Sequence, residues 1–142
     1  MTHKENIGQQ AGELHQRGCN CAEAVLHAFR SKLPFQLNDE AMRMATCFGG
    51  GAVGQSGFCG AFTGATMVLG LLAGRSGPEG SKEPAYTYAR EWHARFVARF
   101  GDNSCKALQV HVYGSPEQKA NCGRIIAATG DLLSSFLQEK KL

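Results

Sequence analysis

The sequence predicts an all-α single domain, a compact bundle of five to six helices around a buried, glycine-rich central helix at about 58–73. Three observations carry this. Apolar residues recur at helical three- and four-residue spacing in several stretches. Capping-box pairs, Asn20 with Glu23 and Ser115 with Gln118, stand just before two of them. From Met44 to Gly74 there is no charged side chain, and 9 of the 18 glycines fall there. Such a run belongs inside a protein, since water-facing positions normally carry charge.

Taken in order, residues 5–17 suit a helix with Ile7, Ala11, Leu14 and His15 on one face, closed by a break at Gly18. His15 reads as a packed or surface residue rather than a ligand. Asn20 caps a second helix that runs to about Lys32, ahead of Pro34, with Cys21 in its first turn. Asn38 to Thr46 reads as a third, leading into Cys47 and the glycines. Ser56 or Gly57 opens the central helix and puts Cys59 in its first turn. There Gly60 and Gly64, one turn apart, let a neighbouring helix come close. At 16 residues, Phe58–Ala73 is shorter than the roughly 20 a membrane span needs. Residues 75–84 form a loop. From Ala85 a helix carries Tyr88, Trp92, Phe96 and Phe100 as a core stripe and ends at Gly101. Cys105 starts a short helix after the Asp102-Asn-Ser cap, and 109–113 is irregular. Pro116 opens the last helix, whose apolar face includes Cys122 in the second turn.

A chain of 142 residues reads as one cysteine-rich helical domain, 1–142, with a core that needs no staples. Residues 1–75 carry 6 basic and 5 acidic side chains, and residues 76–142 carry 9 and 7. Without a basic stripe, no nucleic acid is expected. The first ten residues lack an apolar signal-peptide core, so the expected location is the cytoplasm. Two nucleotide motifs match only in letters. Gly49-Gly-Gly51-Ala-Val-Gly54 fits GxGxxG, and Gly49–Ser56 fits a P-loop except for Gln55 in place of lysine. Both require a preceding strand, and the preceding residues look helical. No nucleotide is therefore expected. The backbone at Gly49, Gly50, Gly51 and Gly60 could still approach a cofactor or anion closely.

The chemistry lies in the six cysteines, 19, 21, 47, 59, 105 and 122. In a reducing compartment, lasting structural disulfides are not expected. Cys21, Cys59 and Cys105 fall in first turns of helices, where orphan N–H groups and the helix dipole favour a thiolate. If these ends converge with Cys122, up to four sulfurs share one pocket. That suits thiol–disulfide exchange or ligation of an iron–sulfur cluster by four cysteines. Structural zinc lacks its CxxC knuckles. Haem of the c type lacks CxxCH. Lys106 and Arg124 are near these thiols in sequence and read as solvent-facing.

Several segments together resemble a known family. They are Cys21 in Asn-Cys-Ala-Glu-Ala-Val-Leu, Phe48-Gly-Gly-Gly, Cys59-Gly-Ala-Phe-Thr-Gly64 with Met67 and Leu69-Gly-Leu, Phe100-Gly…Cys105-Lys-Ala-Leu, and Cys122. The chain is similar to the proteins grouped as putative redox-active and named for a C_GCAxxG_C_C pattern. The resemblance implies a small helical bacterial or archaeal protein with four characteristic cysteines and a redox role. Cys19 and Cys47 stand outside those four.

The expected function is cysteine-based redox chemistry, thiol–disulfide or electron transfer, at Cys21, Cys59, Cys105 and Cys122, with oxidoreductase activity left open. In the thiol version, Cys59 or Cys21 is the low-pKa nucleophile. In the alternative, the same four cysteines hold an iron–sulfur cluster and carry single electrons. A reading of another class is a non-enzymatic helical binding or assembly module with buried structural cysteines. The expected partner is a redox protein or a small thiol or disulfide, with homo-oligomerisation open.

Overall fold

The computed structural model describes residues 6–142. The N-terminal leader reading rests partly on residues 1–5, which lie outside the described residues. The architecture is all-α, with helices α1 (Ile7–Gln16), α2 (Cys21–Arg30), α3 (Asp39–Met42), α4 (Gly60–Ala73), α5 (Glu83–Phe100), α6 (Cys105–Leu108) and α7 (Pro116–Lys140). Five of these are long, and α3 and α6 are single turns. Between α3 and α4 run a 3₁₀ stretch, Arg43–Phe48, and one wide turn, Gly51–Gln55. No described helix is long and apolar enough to cross a membrane.

The capping residues do what their chemistry suggests. Asn20 Oδ1 accepts the Glu23 N–H at 2.9 Å and the Glu23 carboxylate accepts the Asn20 N–H at 3.0 Å, closing the predicted box on α2. Ser115 Oγ likewise accepts the Gln118 N–H, with Pro116 in the first turn, where a missing N–H costs nothing. α5 begins at Glu83, two residues earlier than expected, for the same reason: Pro84 is welcome there.

α4 is the buried centre. It packs against α2, α5 and α7, while α1 lies along α7 and α2. Gly60 and Gly64 make the close approach possible, and the neighbour is α2. A Cβ on Gly60 would come within 2.8 Å of Cys21 Cβ, and one on Gly64 within 2.7 Å of the Ala22 carbonyl oxygen. Between α5 and α7, Trp92, Phe96 and Phe136 are fully buried, with Trp92 6.0 Å from each of the other two in edge-to-face and tilted contacts. Arg95 binds Glu139, and Lys140 binds Glu91, tying α5 to α7 above them.

Two boundaries differ from expectation. Residues 38–46 do not form one α-helix. The Thr46 carbonyl accepts from Asn20 Nδ2 at 2.8 Å, and its hydroxyl donates to Glu23, so the segment tightens to 3₁₀ after Met42 and is tied to the start of α2. The central helix starts at Gly60, not at 58, because Phe58 pairs with Ser104 in an isolated antiparallel bridge.

Candidate thiol site

Four loop-to-helix junctions meet at one end of the bundle, each placing a cysteine. The Phe58–Ser104 bridge sets the first two. Cys59 donates its N–H to the Asn103 carbonyl at 2.7 Å, and Cys105 donates its own to the Gly57 carbonyl at 3.0 Å. The two residues thus leave a shared rung, Cys59 as the cap of α4 and Cys105 as the first residue of α6. Asp102 holds the turn by accepting the N–H groups of Asn103 and Ser104. Asn103, buried, donates Nδ2 to His93 Nε2 at 3.1 Å. His93 also packs edge-on to Phe58 and Phe62, so it positions the rung.

Cys21 enters from the first turn of α2 and Cys122 from the second turn of α7. Both line the same cavity, and each thiol shifts the acidity of the other. Two amides complete the surroundings of Cys122. Gln109 Nε2 donates to its Sγ at 2.7 Å, and Gln118 Nε2 points to it at 3.9 Å. Both amides are oriented from behind. Gln109 Oε1 accepts from Asn121 Nδ2, and Gln118 Oε1 accepts the Gly114 N–H. With their oxygens engaged elsewhere, both amides present donors to the sulfur.

The four sulfur-bearing residues line one cavity of about 190 Å³, together with His15, Gln109, Tyr113 and Gln118. Cys19, half-buried, and Cys47, exposed, are not brought to it. Lys106 and Arg124 are exposed. The glycines singled out in the sequence crowd this region, and they approach the protein's own side chains. Gly60 lies against Cys21 and Gly51, at φ +65°, against Cys105; Gly49 meets Asn20, and Gly50 meets the Tyr113 hydroxyl. The adjoining turn also holds Ala52 at φ 58°, Val53 at φ 65° and Gln55 at φ 61°, a left-handed region that side chains other than glycine seldom enter. Such strain gathers at functional sites.

The thiols differ in acidity. The hydrogen bond from Cys21 draws the Cys122 pKa below the ordinary thiol value despite burial, with help from Gln109 and Gln118. Cys21 is driven far up by the same hydrogen bond and by burial. Of the two, Cys122 is therefore the one that ionises, and Cys21 keeps its proton and donates it. Burial pushes Cys59 up to about 11, against the pull of the Phe62 and Ala61 N–H groups at the start of α4. Burial also raises Cys105.

This departs from the expectation that Cys59 or Cys21 carries the depressed pKa. A helix start supplies part of a unit charge, and here desolvation outweighs it. Gln109 and Gln118 carry no sequence signal as thiolate donors, beyond the four-residue spacing of Gln118 and Cys122 on one helix. Among the described residues, no group of three or more His, Cys, Asp or Glu side chains is arranged to hold a metal ion.

A helical domain that gathers four free thiols around one cavity defines a class, the cysteine-centred all-α domains. Within that class, residues 19–136 match the family described as "Putative redox-active protein (C_GCAxxG_C_C)", and the chain belongs to this family. Its central segment reads Cys59-Gly60-Ala61-Phe62-Thr63-Gly64, with Cys and Gly in the reverse of the order the name writes. No curated protein and no solved structure matches the chain.

Proposed function

We propose that the domain performs thiol–disulfide exchange, with Cys122 as the attacking thiolate and Cys21 as the resolving thiol. The observation that carries this reading is the pair of side-chain amides aimed at the Cys122 sulfur, which lines one cavity with Cys21. The thiolate is the nucleophile in such exchange, and its resolving partner must lie beside it.

The steps balance. Cys122 thiolate attacks one sulfur of a substrate disulfide, and the other sulfur leaves as a thiolate. Cys21 then loses its proton and attacks Cys122 Sγ in the mixed disulfide, expelling the second substrate sulfur. Two electrons pass from the cysteine pair to the substrate, and the pair becomes a disulfide. Run backwards, the same steps oxidise a dithiol partner. The partner is a protein or small molecule bearing a disulfide or a pair of thiols, and Cys59 and Cys105 remain protonated throughout.

The test is to purify the protein without oxygen, measure iron and acid-labile sulfide, and then oxidise it with a small disulfide and map cysteine links by mass spectrometry. Metal-free protein that forms the Cys21–Cys122 link first supports exchange. Stoichiometric iron and sulfide that vanish on Cys59→Ala would instead make it a single-electron carrier. Six unreactive thiols would favour the binding-module reading.

A further inference from the structure

His15 sits in the last turn of α1, and its ring is fixed from one side. Nδ1 lies 2.9 Å from the Cys19 carbonyl oxygen. A carbonyl can only accept, so Nδ1 carries the hydrogen, and the neutral ring presents a lone pair at Nε2. That Nε2 is shielded from solvent and has no hydrogen-bond partner. Leaving a buried acceptor unpaired costs about 1–3 kcal/mol, and native structures seldom do so without a reason.

The placement of the ring supplies one. His15 lines the cysteine cavity and also the larger open groove between α1 and α7, which is bordered by Gly12, Lys119 and Arg124. A Cβ built on Gly123, the residue after Cys122, would lie 3.7 Å from His15 Cδ2, the carbon bonded to Nε2. That edge of the ring thus faces α7 at the residue after Cys122. The hydrogen bond to Cys19 also ties the ring to the segment that delivers Cys21 two residues later. No carboxylate lines the cavity, and its other titratable groups are the four thiols, Tyr113 and Lys119.

We infer that His15 Nε2 is the proton carrier of the thiol cavity. The inference rests on the exchange reading and says where its proton goes. When Cys21 attacks the mixed disulfide, its proton passes to Nε2, and the resulting imidazolium returns it to the departing substrate sulfur. The sum is a substrate disulfide plus Cys21 thiol and Cys122 thiolate, giving the Cys21–Cys122 disulfide, one substrate thiol and one substrate thiolate. No thiol hydrogen-bonds to Nε2, and water does not reach it in the resting protein, so the transfer runs through the sulfur of the bound substrate.

The experiment uses 2-hydroxyethyl disulfide with acid quench and mass spectrometry, which separates formation of the Cys122 adduct from its resolution by Cys21. His15→Asn keeps an amide donor for the Cys19 carbonyl and removes the Nε2 lone pair. The adduct is expected to form at the wild-type rate and then accumulate, with resolution slowed by about 100-fold, the scale of general acid–base assistance. In His15→Ala, added imidazole is expected to restore part of the resolution rate, a rescue that a packing role would not show. Resolution at the wild-type rate in His15→Asn, or no rescue in a folded His15→Ala, overturns the carrier. Failure of wild-type protein to form any Cys122 adduct overturns the exchange reading itself, and the carrier with it.

Discussion

The two pairs of thiols in the cavity are held by different means and end in different states. Cys59 and Cys105 are pinned through the backbone, one on each strand of the Phe58–Ser104 rung, and burial keeps both protonated. Cys21 and Cys122 face the same cavity, and two oriented amides hold the Cys122 sulfur. Both pairs include helix starts, so a helix start does not decide which thiol ionises. Donors aimed at the sulfur decide it at Cys122, because a hydrogen bond to a charged acceptor is worth about 1.5–3 kcal/mol and outweighs the burial that opposes its thiolate. Backbone pinning gives position. Side-chain donors set acidity.

The comparison breaks most visibly if Cys21 is removed. Cys21→Ala takes away the strongest donor to Cys122, and iodoacetamide should then modify Cys122 ten- to a hundredfold more slowly near neutral pH, on the order of one charged hydrogen bond. An unchanged rate would mean that Cys21 does not set the acidity of Cys122. A smaller change is expected from the amides. Gln109→Leu should slow the same modification by about tenfold, and Gln118→Leu by less, since its nitrogen is 3.9 Å away against 2.7 Å. Neither should alter Cys59. Equal effects at both cysteines would point to a loosened fold rather than lost donors.

The smallest effect sharpens the contrast from the other side. Ala52→Gly relieves a residue at φ 58° in the turn beside Cys105. Chemical denaturation should show a gain of about 1 kcal/mol, the cost of a left-handed side-chain residue, with Cys122 reactivity unmoved. A loss of stability would mean that the turn is not strained.

How much of this was legible follows the same division. The helices of α2 and α7, their caps, the apolar burial of α4 and the placement of four cysteines at or near helix starts could be read from the sequence, because each is set within a few residues along the chain. The close approach at Gly60 and Gly64 was legible too, though not that Cys21 and Ala22 fill the space. What stayed hidden depends on contacts between distant segments. The rung joining 58 to 104, the amide of Gln109 reaching Cys122 and the unpaired nitrogen of His15 have no periodic signature. His15 looked like a helix-face residue because its hydrogen bond to Cys19 exists only once Gly18 turns the chain. The acidity order was misjudged for a related reason: helix starts can be seen in a sequence, and burial of a particular sulfur cannot.

The most direct measurement is the alkylation rate of each cysteine, resolved by mass spectrometry, from about pH 6 to about pH 11 in reduced, metal-free protein. The account predicts that Cys122 titrates first, with a midpoint below the ordinary thiol value of 9.0. Cys59 should become reactive only as the pH approaches about 11. Raising the pH thus opens the thiols in that order, since a lowered pKa exposes the thiolate early and a raised one delays it. A profile in which Cys59 or Cys21 ionises before Cys122 would contradict the account.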